Sequence, residues 1–76
     1  MDSIDAAQAY TRHYILTLHK PGPGGPRWAT ASGTVTPAAG ATRDGVFKWI
    51  LNGIIEDNPD MRGGTVLFFS LEPNRL

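Results

Sequence analysis

Between Thr42 and Asp57 the chain reads TRDGVFKWILNGIIED. Val46, Phe47, Ile50, Leu51, Ile54 and Ile55 recur at the i, i+3, i+4, i+7 spacing of one helical face. Lys48, Asn52 and Glu56 fall on the opposite side. At about 100° per residue the apolar stripe covers about half of the cylinder. Thr42 is placed as an N-cap, its hydroxyl accepting a free amide of the first turn. Asp44 suits the positive end of the helix dipole. Asn58-Pro59 stops the helix, because the residue before proline is pushed out of the α region. Glu56 and Asp57 sit at the wrong end for the dipole, which predicts fraying there. A stripe this wide needs a sheet to lie on. Trp49 leaves the pattern. It either folds down over the rim of that sheet or anchors a partner, since tryptophan is enriched at interface hot spots.

The segments on either side supply the sheet. Arg12 to His19, RHYILTLH, alternates Tyr14, Leu16 and Leu18 with His13, Ile15, Thr17 and His19. The first set is expected to face the helix. Lys20 to Arg27, KPGPGGPR, has three prolines and three glycines and reads as a long, mobile hairpin loop. Trp28 to Thr36, WATASGTVT, is the returning strand, with Ala29, Ala31, Gly33 and Val35 on one face and a threonine-rich, wet second face. The small residues would let the helix sit close, with Phe47 filling the space. Pro37 ends the ladder. Asn58 to Gly64 is a return loop. Thr65 to Glu72, TVLFFSLE, is the last strand: strict alternation puts Val66, Phe68 and Ser70 on one face and Leu67, Phe69 and Leu71 on the other. Both faces are largely apolar, the mark of a strand covered on both sides. The first eleven residues, MDSIDAAQAYT, read as a polar tail or as a short helix with Ile4, Ala7 and Tyr10 on one face.

The expected architecture is therefore α+β: one ββαβ domain over residues 12–76, a three-stranded, mostly antiparallel sheet with one helix packed across one face. Short hairpin and crossover connections favour the first strand in the middle, antiparallel to both neighbours. This order and some local spellings resemble the ubiquitin-like β-grasp fold. The likeness runs from about Tyr14 to Phe69 and is best in GTVTPAAGATRDGVFKWI, Gly33 to Ile50, where a strand ends in a proline-marked turn and a small hydroxyl residue caps a helix. What the resemblance implies is a fold and not a chemistry. Ubiquitin-like modifiers and sulfur carriers act through a C-terminal Gly-Gly tail. This chain ends Glu72-Pro73-Asn74-Arg75-Leu76, and its Gly63-Gly64 is internal and reads as a turn.

The size of the chain, 76 residues, bears on what it can do. A domain near this size buries only about 60% of its unfolded surface. It has no cysteine, so no disulfide or thiolate site can staple it, and oligomerisation is the remaining common remedy. Seven basic and seven acidic residues give a net charge of zero, which disfavours a strong binder of nucleic acid or of anionic membranes. No apolar run reaches membrane-spanning length, and the acidic start does not resemble a signal peptide. The expectation is a soluble cytoplasmic protein.

No residue pattern points to catalysis or to a cofactor. His13 and His19 share a strand face but lie about 20 Å apart at 3.3 Å per residue. They cannot share a metal. Glu56, Asp57 and Asp60 lack the alternating ligands and glycine of a calcium loop and read as solvated carboxylates. Ser3, Ser32 and Ser70 have no activating context. One helix covers one face of a sheet, so apolar residues of the last strand should remain open on the other, and such patches mark interaction sites. An unpaired edge of that composition also invites another strand. The candidate partner-binding residues are Trp28, Trp49, Phe68, Phe69, Leu71 and Ile15. The function expected is a non-enzymatic protein-interaction module, with the chain itself (as a homodimer) or another protein as partner. The alternatives are a nucleic-acid-binding sheet, with Trp28, Phe68 or Phe69 stacking bases beside Arg12, Arg27 and Arg75, and a β-grasp accessory protein lacking a C-terminal Gly-Gly.

Overall fold

The structure is a computed structural model that describes residues 10–76. The expected short helix of the N-terminal segment falls mostly outside those residues. Three strands, β1 (Arg12–Gly22), β2 (Gly25–Val35) and β3 (Thr65–Pro73), and one helix, α1 (Arg43–Asp57), follow in the order β1-β2-α1-β3. A 3-10 turn, Pro59–Met61, links α1 to β3. The sheet order is β2-β1-β3, and β1 is antiparallel to both neighbours. This is an α+β fold with one helix across one face of an open sheet, as the hydrophobic patterning predicts. Among the described residues no helix is long and apolar enough to cross a membrane.

Leu16 and Leu18 of β1 are fully buried and form one cluster with Ile50 and Ile54 of α1 and with Met61. Tyr14, Ala29, Ala31, Val35, Val46, Leu51, Ile55, Val66 and the pair Phe47 and Phe69 pack around it. The even-numbered side of β1 and the odd-numbered side of β2 therefore face the helix, as their alternation requires. Thr42 caps α1: its Oγ1 accepts the Gly45 amide at 3.0 Å. At the other end Asn58 donates from both its backbone amide and its Nδ2 to the Ile54 carbonyl, at 2.9 and 3.0 Å, which satisfies part of the terminal turn that the acidic residues there leave unsupported.

Two expectations are corrected. The Lys20–Arg27 segment is not an open loop. The ladder continues through Lys20↔Arg27, Pro21↔Pro26 and Gly22↔Gly25, with only Pro23-Gly24 left to turn. The reason lies in the register. Residue pairs of an antiparallel ladder alternate between bonded and non-bonded, and the two prolines stand opposite each other, so a single non-bonded pair absorbs both missing donors. Gly25 supplies the positive φ, 110°, that the turn needs. It follows that even-numbered residues of β1 bond to β2 and odd-numbered ones to β3. The second correction concerns Phe47. It does not fill the space above the small residues of β2. It lies over β3, edge-on to Phe69 with ring centroids 4.9 Å apart. The room above β2 is taken by Tyr14, whose ring would be 3.2 Å from any Cβ added at Gly33.

Met61, only 3% exposed, is a core residue inside what reads as a polar return loop. Pro59 starts the tight turn that drops it onto the sheet. Gly63 takes φ 81°, and Gly64 passes so close to the Met61 and His19 carbonyls that a Cβ there would lie 3.0 and 3.2 Å from them. The Gly63-Gly64 pair thus brings the chain from the turn into β3. Lys20 Nζ reaches the Arg62 carbonyl at 2.6 Å, and Arg27 pairs with Asp60, so the root of the hairpin is tied to the same turn.

Leu16→Ala should lower the free energy of unfolding by about 2–5 kcal/mol, and Thr42→Ala by about 1 kcal/mol. Urea titration at one protein concentration compares them; equal losses would show that the cluster around Leu16 is not the core of the fold.

Candidate functional site

β3 does not alternate strictly. Thr17 stands opposite Phe68, but Leu18 stands opposite Val66, so Leu67 is an extra residue on β3, a β-bulge. The alternation reverses at that point. Val66, Phe69 and Leu71 pair across from Leu18, Leu16 and Tyr14 and lie on the helix face; Phe68 and Ser70 lie opposite Thr17 and Ile15 on the open face. The expected division of β3 into Val66, Phe68, Ser70 against Leu67, Phe69, Leu71 is corrected accordingly. Leu67 and Phe68 are each 52% exposed.

Of the six candidate residues, Ile15, Phe68 and Trp28 share the open face. Phe68 sits beside Thr17 on the neighbouring strand, and Ile15 is one step further along that strand. Trp28, 62% exposed, lies across the sheet on β2 and packs against His19, with ring centroids 4.4 Å apart and planes tilted by 44°. Phe69 and Leu71 do not join them. Both are half-buried on the helix side, where Phe69 meets Phe47 and receives the Arg43 guanidinium 5.6 Å from its ring centre. Trp49, 69% exposed, stays outside the sheet rim and borders a groove between α1 and β2 lined by Ala31, Gly53 and Tyr14. The structure therefore joins Ile15 and Phe68, adds Leu67, which the pattern of apolar residues hid, and separates the rest.

The remainder of the open face is polar, with Glu72 its one carboxylate among the paired positions. Its rows across β2-β1-β3 read Thr34–His13–Glu72, Ser32–Ile15–Ser70, Thr30–Thr17–Phe68 and Trp28–His19–Thr65. Thr17 and Thr30 hydroxyls meet at 3.0 Å. No lysine or arginine occupies these positions. Arg12 lines a hollow beside Thr42, Arg43 and Leu71 on the helix side, and Arg27 is held by Asp60. Arg12 and Arg27 thus lie on the helix side, away from Trp28 and Phe68 on the open face. Among the described residues no group of three His, Cys, Asp or Glu side chains is placed to hold a metal ion.

Among the described residues both outer strands present an unpaired edge. On β3 the register directs the amides and carbonyls of Phe68, Ser70 and Glu72 inward to β1, and those of Phe69 and Leu71 outward. Above this edge the wheel of α1 places Leu51 and Ile55, with the Asp44–Lys48 ion pair at 2.8 Å beside them. The Lys48 ammonium titrates above its ordinary value, first through its hydrogen bond to Asp44 and then through that carboxylate's charge. Neither a family model, nor a curated protein, nor a solved structure matches this chain.

The bulge makes a direct prediction. Phe69→Ala should cost about 3 kcal/mol of stability, and Phe68→Ala less than about 1 kcal/mol, when both are unfolded by denaturant in dilute solution. The opposite ranking would place Phe68, not Phe69, under the helix.

Proposed function

We propose that this chain is a small, non-enzymatic protein-interaction module that self-associates, using β3 and the open face beside it. The observation that carries this reading is the pair Leu67 and Phe68, each 52% exposed beside an unpaired strand edge. An apolar group at a free edge is a template for another chain. The small core supports the same reading. Leu16, Leu18, Ile50, Ile54 and Met61 are the buried apolar side chains of the described residues, and a chain without cysteine has few other means of gaining stability. The ubiquitin-like likeness rests on the shared order of elements, β-β-α-β, and supports a docking role. A cytoplasmic setting belongs to the same reading, since nothing in a cysteine-free chain depends on an oxidising compartment.

The magnitude sets the conditions of the test. Fully burying one large exposed apolar side chain contributes about 1.5–3 kcal/mol; Leu67 and Phe68 are already half covered, so those of two copies contribute about 3–6 kcal/mol beside the strand-to-strand hydrogen bonds, before the cost of association, itself about 4–15 kcal/mol. The expected affinity is micromolar or weaker. Sedimentation from about 1 to 500 micromolar should show the mass rising to that of a dimer, and Phe68→Asp should hold it at one chain while the far-ultraviolet dichroism stays unchanged. A strict monomer across that range, indifferent to Phe68→Asp, would refute self-association.

A further inference from the structure

The proposed self-association leaves the geometry open, and the free edge of β3 together with α1 selects one. We infer that the partner is a second copy of this chain, joined β3 to β3 in antiparallel register about a two-fold axis at Ser70, so that two three-stranded sheets become one of six strands with both helices on the same side.

Three observations converge on that axis. The first is the backbone. Phe69 and Leu71 direct their peptide groups outward, whereas Ser70 bonds inward to Ile15. With Ser70 on the axis, Phe69 of one copy pairs with Leu71 of the other, and all four outward groups on each side of the axis find partners. The second is the extent of clean edge. The bulge at Leu67 interrupts the strand at one end, and Pro73, which has no amide hydrogen, closes it at the other. The segment between them, Phe68 to Glu72, is centred on Ser70. The third is charge. Asp44 and Lys48 lie one turn apart on the side of α1 above β3, and Phe47, in the same turn, lies over Phe69, next to Ser70. A two-fold axis at that level reverses the order of the pair, so that Asp44 of each copy approaches Lys48 of the other. An opposite-charge pair is self-complementary under this operation. The other edge differs: β2 has Pro26 in an outward position, and its ion pair, Arg27 with Asp60, joins it to the 3-10 turn and does not run along α1.

The absence of cysteine makes the test clean. Ser70→Cys places one thiol on the axis, where opposed Cα atoms of a non-bonded pair stand about 4.5 Å apart, inside the range a disulfide spans. Ser32→Cys places one in the same row on the opposite edge. Under mild oxidation near the dissociation constant, with dichroism confirming the fold of both, Ser70→Cys should cross-link to a dimer and Ser32→Cys should stay monomeric. In the parent chain, Asp44→Lys should raise the dimer dissociation constant roughly tenfold, and the double exchange Asp44→Lys with Lys48→Asp should restore it. A dimer by sedimentation in which Ser32→Cys cross-links and Ser70→Cys does not, or in which both do so equally, overturns this geometry and leaves self-association standing. A chain that stays monomeric at every concentration removes both.

Discussion

Leu16 and Leu18 of the central strand, packed under Ile50 and Ile54 of the helix, are the contact to which the rest of the molecule is referred. The two leucines lose all of their accessible surface, and no other described side chain is so completely enclosed. A strand can present only alternate residues to one face, and a helix only one stripe. Their contact therefore orients both elements at once. It sets which side of β1 is dry, and through the two antiparallel ladders it sets the facing of β2 and β3.

With one layer of helix on one face, the other face must tolerate water. Most of it does: serine, threonine and histidine rows cross the sheet, and cross-strand pairs such as Thr17–Thr30 satisfy one another. The exception is local. Leu67 and Phe68 are both half-exposed at the same point, where the bulge inserts a residue. A bulge also ends regular pairing, so the residue that creates the apolar patch also marks the end of the clean edge beside it. The patch and the edge therefore belong to one feature of the backbone, and a partner that engages one lies next to the other.

The hairpin shows how a composition that breaks strands can still sit in one. Pro21 and Pro26 are tolerated because they oppose each other, each directing its missing donor away from the shared ladder. The long hairpin then brings Lys20 and Arg27 over the 3-10 turn, where they meet the Arg62 carbonyl and Asp60. This is exposed electrostatics of small energy. Its consequence is positional: it ties the hairpin to the turn on the side of the sheet that the register already gives Lys20 and Arg27.

What the sequence by itself determined was every feature with a strong period. The limits and cap of α1, the inward set Tyr14, Leu16, Leu18 and the inward set Ala29, Ala31, Val35 are all legible, because polar residues alternate with apolar ones and report which side is wet. Along Val66-Leu67-Phe68-Phe69 no polar residue interrupts the run, so a one-residue slip leaves the pattern unchanged. Only pairing against β1 decided that Phe69 turns inward and Phe68 outward. The same holds for Met61, a single apolar residue in a polar loop, and for the opposed prolines. Periodicity is a property of one segment, whereas register is a property of two, and it exists only once the strands have met.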